Sequence, residues 1–162
     1  MICSYQSARD LFGAARDASL EMTRTMLQLE TMEARRHIKG QGYSGMPHGQ
    51  RSDVNGTAAS IALIDREEML RARIRNDEEL LDLACQVAYG ADGRVGGVSA
   101  LLGSAYADVL FWRYCAGESW DTVARECGVS KSTAMRYADV ALDAVDAYGV
   151  DATMNGLGLA EG

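Results

Sequence analysis

An all-α fold is predicted for this chain by three observations. It holds a single proline, Pro47, in 162 residues. It is rich in Ala, Leu, Met, Glu and Arg, the residues that lose least on entering a helix. Its apolar residues recur at three- and four-residue spacings, and no segment alternates apolar and polar residues for long enough to form a strand. The expected architecture is a long antiparallel helical hairpin followed by a three-helix helix-turn-helix module.

The first helix is expected from about Ser7 to Lys39. Leu11, Ala15, Ala18, Met22, Thr25, Leu29 and Met32 lay one stripe along one face in the heptad pattern of a coiled coil. Ala, Thr and Met make that seam weak, so the helix requires a partner. A second run, from about Thr57 to Tyr89, supplies one through Ile61, Ile64, Leu70, Ile74, Leu81, Ala84 and Ala88. Asp65, Arg66, Glu67, Glu68, Arg71, Arg73 and Arg75 give it a solvated face with helix-spaced ion pairs such as Glu67 with Arg71. Two helices of similar length around a polar break predict a hairpin over residues 1–89, a surface through which a homo-oligomer would form.

The break, KGQGYSGMPHGQRSDVNG, holds five of the 17 glycines between Gly40 and Gly56. A loop over about residues 40–56 exceeds the usual connection between helices. Its SGMPHG stretch, Ser44 to Gly49, joins the helices, with Pro47 fixing one φ and the glycines supplying the unusual ones. Gly40 to Gly45 matches G-x-G-x-x-G by letters only. A dinucleotide site needs a strand before it and a helix N-terminus at its end, whereas here a helix precedes and Pro47 follows. The two histidines are His37 and His48, and no Cys/His pair has zinc-like spacing, so no metal site is expected. No P-loop, G-x-S-x-G elbow or H-E-x-x-H occurs, and the chain is expected to be neither an enzyme nor a cofactor binder.

A second break, GADGRVGG from Gly90 to Gly97, is the expected domain boundary. Beyond it, Ser99 to Gly117 reads as one helix apolar on more than one side, through Leu101, Leu102, Ala105, Val109, Phe111, Trp112 and Tyr114. Trp112 and Trp120 are expected in packing roles. A helix follows from Ser119 to just before Gly128, and another from Ser130 to Gly149. The module thus spans residues 98–149, and residues 150–162 are expected to form a flexible tail. Cys3, Cys85, Cys115 and Cys127 are scattered with no C-x-x-C pair, the pattern of reduced thiols in a cytosol. Cys115 and Cys127 are expected in the core.

Trp120 to Leu142 has the spacing of a helix-turn-helix. Such a unit needs a small residue where its helices cross, a turn residue that tolerates left-handed backbone, and apolar residues that lock the crossing. Ala124 is the small residue and Gly128 the turn, while Val123, Cys127, Val129, Ala134 and Tyr137 form the lock. Ser130 is the expected N-cap of the second helix. Burying the lock leaves Lys131, Ser132, Met135, Arg136 and Asp139 outward, where residues at the start of such a helix meet base edges in a major groove. Arg136 has the fork for a guanine edge, and Lys131 suits a phosphate or a guanine. Arg125, on the first helix of the unit, is the remaining basic side chain between Glu118 and Asp146 and joins the DNA-binding set.

The run FWRYCAGESWDTVARECGVSKSTAMRYADVALDAV resembles region four of bacterial sigma factors, and in particular that of small phage and prophage sigma-like regulators. The matching positions are Leu110, Arg113 and Tyr114; Ser119, Trp120, Val123 and Ala124; Gly128, Val129 and Ser130; and Arg136, Ala141 and Leu142. The hairpin and its SGMPHG loop also resemble that group, so the likeness covers most of residues 20–147 and is strongest in the last third. The resemblance implies a transcriptional regulator that binds double-stranded DNA, with RNA polymerase as a partner. It places base reading on Lys131, Ser132 and Arg136, and backbone contacts on Thr133 and Met135. Ser132 and Met135 depart from the charged residues common in promoter-reading modules.

Charge sets a limit on this reading. Against 16 basic residues stand 23 acidic ones, a formal charge of -7, where nucleic-acid binding normally uses a basic surface. From Glu118 to Asp146 three basic residues, Arg125, Lys131 and Arg136, face six acidic ones. Few phosphate contacts predict weak, salt-sensitive binding by the isolated chain, with polymerase or a second copy supplying the rest. Two other readings fit the same pattern: a small terminase-like DNA-packaging subunit, and a protein-binding helical module without DNA activity. No apolar run approaches the roughly 18–20 residues that span a bilayer. The start MICSYQSARD lacks a basic region followed by an apolar one, so a cytoplasmic protein off the membrane is expected.

Overall fold

In the computed structural model, which describes residues 5–40, 54–93 and 95–156, every regular element is helical, as the all-α prediction requires. Two long helices, α1 (Ala8–Gly40) and α2 (Val54–Tyr89), come first. Shorter ones follow: α3 (Gly97–Leu101), α4 (Ser104–Leu110) running into a π-helical turn (Phe111–Cys115), α5 (Trp120–Cys127), α6 (Lys131–Tyr148) and α7 (Val150–Asn155). No described helix is long and apolar enough to cross a membrane.

The chain divides into two compact units, one of Met1–Leu20 with Asp77–Gly162 and the other of Glu21–Asn76. The division therefore falls inside the long helices. It does not fall at Gly90 to Gly97, where a boundary between residues 1–89 and 98–149 was expected.

The first, or core, unit is held by one apolar cluster. Leu11, Phe12 and Ala15 of α1 and Ala84, Val87 and Ala88 of α2 share it with Val98, Val109, Leu110, Cys115, Val123, Ala134, Ala138, Ala141, Leu142 and Val145. Most of these side chains are small, which lets the short helices approach closely around α6. Two first-turn N–H groups of α1 find partners outside the helix. Ser7 Oγ accepts from the Asp10 N–H at 3.1 Å, and Asp146 Oδ1 on α6 accepts from the Ala8 N–H at 2.5 Å.

The glycine-rich segment before α3 is a packed junction of this unit. Gly97 has φ +77°, and a Cβ there would lie 2.2 Å from the Gly90 nitrogen, so only glycine fits. The Ala91 N–H donates to the Met154 carbonyl of α7 at 3.0 Å. Residues 150–156 are accordingly part of the fold, with Thr153 buried, and not a flexible tail. The single helix expected over Ser99 to Gly117 is also corrected. The backbone leaves the helical region at Leu102 (φ -120°) and Gly103 (φ 112°), separating α3 from α4.

In the second, or hairpin, unit the described residues are all helical. Its ion pairs run in opposite order along the two strands of the hairpin, Arg36 with Glu67, Glu33 with Arg71 at 3.3 Å and Glu21 with Arg73 at 3.5 Å, so the helices are antiparallel. The α1 seam faces inward as expected: Thr25 is buried and Met22, Leu29 and Met32 are half-buried. The α2 seam is corrected in part. Ile61 and Ile64 are exposed while Leu70 is buried. Ile61 and Leu70 are nine residues apart, which at 3.6 residues per turn puts them on opposite sides of the helix. Glu67, expected on a solvated face, is buried between Arg36 and Arg71. The SGMPHG segment with Pro47 and His48 lies outside the described residues.

Candidate nucleic-acid interface

The helix-turn-helix is built by local capping. Ser119 caps α5 by accepting from the Thr122 N–H at 3.3 Å. Gly128 ends α5 in left-handed backbone, φ 66° and ψ 31°, the conformation glycine adopts at least cost. The Val129 N–H then returns to the Ala124 carbonyl at 3.0 Å. Ser130 caps α6, its Oγ accepting from the Thr133 N–H at 3.2 Å. Val123 and Ala134 are fully buried, and Cys127, Val129 and Tyr137 pack partly buried against them. Tyr137 also stacks on Tyr106 of α4 with centroids 4.4 Å apart. Trp112 and Trp120 both pack on the core.

This lock presents the first turns of α6. Lys131, Ser132, Met135 and Arg136 are all exposed and recur at helical spacing on one face. Their settings differ. Lys131 Nζ is 3.2 Å from Asp121 Oδ1 on α5, whereas Arg136 has no salt bridge among the described residues. Arg136 is therefore the uncommitted fork on this face. The Ser130 hydroxyl donates to Thr133 Oγ1 at 2.8 Å while accepting from the backbone. Both hydroxyls serve the cap, and Thr133 is half-buried. Arg125 stands on α5 with its Nε 3.6 Å from Glu126 Oε1, apart from the α6 cluster.

One cation that shapes this face lies far from it in sequence. Arg9 on α1 donates to Asp143 Oδ1 at 2.7 Å and to Asp139 Oδ1 at 3.3 Å, and reaches Asp146 Oδ2 at 4.0 Å. The Asp143 hydrogen bond raises the Arg9 guanidinium above its ordinary range, against a smaller lowering by burial. Arg9 thus offsets from α1 one of the three negative charges that these carboxylates carry. The signal for this was the exposed acidic spacing of Asp139, Asp143 and Asp146 on α6, which calls for a cation from elsewhere.

No group of His, Cys, Asp and Glu among the described residues is arranged to hold a metal ion. Cys85, Cys115 and Cys127 are free thiols, Cys115 buried in the core. Compared with family models, with curated proteins and with solved structures, the chain finds no match.

Proposed function

We propose that this protein is a phage-type transcriptional regulator of the sigma region four kind, which lays the start of α6 in the major groove of double-stranded DNA. The observation that carries the reading is the capped turn from Gly128 to Ser130, which leaves Lys131, Ser132, Met135 and Arg136 exposed on the first turns of α6. Exposed side chains at that end of the second helix are what base-edge readout requires. Arg136 reads a guanine edge, Lys131 and Arg125 hold phosphates, and Ser130 and Thr133 stiffen the helix start. The grip of so few cations is small, so RNA polymerase or a second copy of the chain, joined through the hairpin, completes the complex.

The acidic flank of α6 would favour a protein-binding module without DNA activity if it stood free. Arg9 offsets one of its three charges and the first turn of α1 binds Asp146, so the flank is partly engaged within the chain. A DNA-packaging subunit remains the rival in use rather than in surface.

The test is a titration of duplex DNA at low salt, with and without bacterial RNA polymerase, comparing wild type with the Lys131→Ala/Arg136→Ala double variant. Loss of the Arg136 contact costs about 1–3 kcal/mol and relaxes sequence preference. Equally poor binding by both proteins in both conditions removes the assignment of α6. A ring of many subunits in solution favours packaging, and a monomer or dimer favours regulation.

A further inference from the structure

Charge is divided unevenly between the two units. Residues 21–76 hold nine of the chain's 16 basic residues and seven of its 23 acidic ones, which leaves seven against sixteen in the core unit. The hairpin unit is thus net basic, and the core unit carries the whole acidic excess.

Within the hairpin unit, the ion pairs fix which edges of the two helices meet. Glu33 of α1 pairs with Arg71 of α2 along one side, and Glu21 pairs with Arg73 at 3.5 Å along the other. Glu21 and Glu33 are twelve residues apart, which sets them about 120° apart around α1, one on each side of the buried Thr25.

Helical spacing then sorts the remaining charges. Gln28 and Arg35 follow Glu21 at seven-residue steps, Arg24 is one turn before Gln28, and Arg66 is seven residues before Arg73. Seven residues return a helix to nearly the same face, so these side chains share the Glu21 side, and all of them are exposed. The same spacing puts Glu30, Glu68 and Arg75 on the side of Glu33 and Arg71, where carboxylates are the more numerous. Arg24, Arg35 and Arg66 have no salt bridge among the described residues, and Glu21, the carboxylate beside them, is held by Arg73.

The spacing of the cations selects their ligand. At 1.5 Å per residue, Arg24 and Arg35 are roughly 16 Å apart along α1, and Arg66 and Arg73 roughly 10 Å apart along α2. One small anion cannot bridge such distances, whereas a duplex offers a phosphate charge about every 1.7 Å of its axis. Guanidinium forks suit phosphate oxygens, and a repeating backbone demands no exact register from them. An acidic protein segment would have to match each fork with a carboxylate.

We infer that the side of the hairpin bearing Arg24, Arg35, Arg66 and Arg73 binds the phosphate backbone of duplex DNA, adding contacts that the acidic core unit lacks. This rests on the DNA-binding reading above. The contacts hold the chain on the duplex and carry no sequence information.

The experiment titrates two duplexes of unrelated sequence over a range of salt. It compares wild type, the Arg24→Gln/Arg35→Gln/Arg66→Gln variant, and Arg75→Gln, which removes an exposed arginine without a salt bridge from the other side. Glutamine keeps helix propensity, and none of the three arginines pairs with a carboxylate, so the melting temperature without DNA stays at the wild-type value. The triple variant is expected to lower the slope of log affinity against log salt by roughly 2 to 3, and to weaken both duplexes alike by on the order of a hundredfold at about 0.1 M salt. Arg75→Gln keeps the wild-type slope. The Lys131→Ala/Arg136→Ala variant instead loses sequence preference, which separates the two surfaces. A triple variant with the wild-type slope overturns the inference and leaves the reading of α6 standing. If it keeps that slope but loses self-association in sedimentation, the surface serves an acidic protein partner and the DNA assignment fails. An equal loss per charge in Arg75→Gln assigns the effect to net charge and also overturns the surface. If wild type shows no salt-dependent binding, with or without polymerase, the functional reading fails and this inference with it.

Discussion

The same two helices run through two units built on different principles. In the core unit, α1 and α2 contribute Leu11, Phe12, Ala15, Ala84, Val87 and Ala88 to a cluster walled by five further helices. In the hairpin unit, only Leu70, Thr25 and Glu67 have buried side chains among the described residues, and Leu27, Ile61, Leu63, Ile64 and Met69 are exposed. Two helices alone cannot enclose a core, so pairing there is marked by charge: Glu67 lies between Arg36 and Arg71, and Arg71 also meets Glu33. A buried carboxylate with cations on two helices contributes more to register than to net stability. Stability and alignment are thus assigned to different parts of the same helices.

The sharpest way to break the core unit is at its tightest backbone contact. Gly97→Ala places a Cβ 2.2 Å from the Gly90 nitrogen at a φ of +77°, with no flexible side chain to yield. A loss of about 4 kcal/mol or more is expected, a large fraction of the stability of an ordinary domain. Denaturant titration followed by circular dichroism checks it. A variant that unfolds at the wild-type midpoint would mean that the junction does not support the unit.

Next in size is a matched pair of truncations. Phe12→Ala in the core unit is expected to cost about 3–5 kcal/mol and to lower the global midpoint. Leu70→Ala in the hairpin unit is expected to cost about 2–3 kcal/mol, spent locally, because no larger cluster depends on it. Amide hydrogen exchange distinguishes the two. Leu70→Ala should speed exchange within 21–40 and 54–76 and leave α6 protected, whereas Phe12→Ala should speed exchange in α6 as well. Equal loss of α6 protection in both variants would show that the two units unfold as one.

What was legible in the sequence follows the same contrast between local and distant chemistry. Gly128 and Ser130 were readable as turn and cap because each acts on backbone within three residues of itself. The α1 seam was readable because one uninterrupted period runs through it. Ile61 and Ile64 misled because apolar character was present without the phase that would bury it. The segment from Gly90 to Gly97 resembled a linker in composition, but its glycines serve close backbone packing against Met154 and Gly156, a partner more than 50 residues away. The electrostatics of the candidate interface depended on Arg9, which is 130 and 134 residues from Asp139 and Asp143. Counting charge by sequence window therefore missed one cation that the fold brings to α6 from the other end of the chain, against three carboxylates.

The smallest expected effect concerns a phenol and a carboxylate hydrogen-bonded within the core unit. Tyr89, the last residue of α2, donates its hydroxyl to Asp108 Oδ1 of α4 at 2.7 Å and sets its ring edge against Phe111 at 6.2 Å. Burial first, and then the hydrogen bond to Asp108, raise the phenol above its ordinary value of 10.0. The protonated phenol is the form the fold favours. Its contribution is therefore fully present below about pH 10 and is lost as pH rises from there toward the folded-state value. Tyr89→Phe is expected to cost about 1 kcal/mol at neutral pH, the net value of one hydrogen bond. The difference in unfolding free energy between wild type and variant should then shrink as pH rises above 10, since only wild type has this proton to lose. Denaturant titrations from pH 7 to the alkaline limit measure that difference directly, and the other titrating groups common to both proteins cancel. A difference that stays constant across that range would mean that the Tyr89 phenol is not coupled to Asp108, and that α2 is joined to α4 by apolar packing alone.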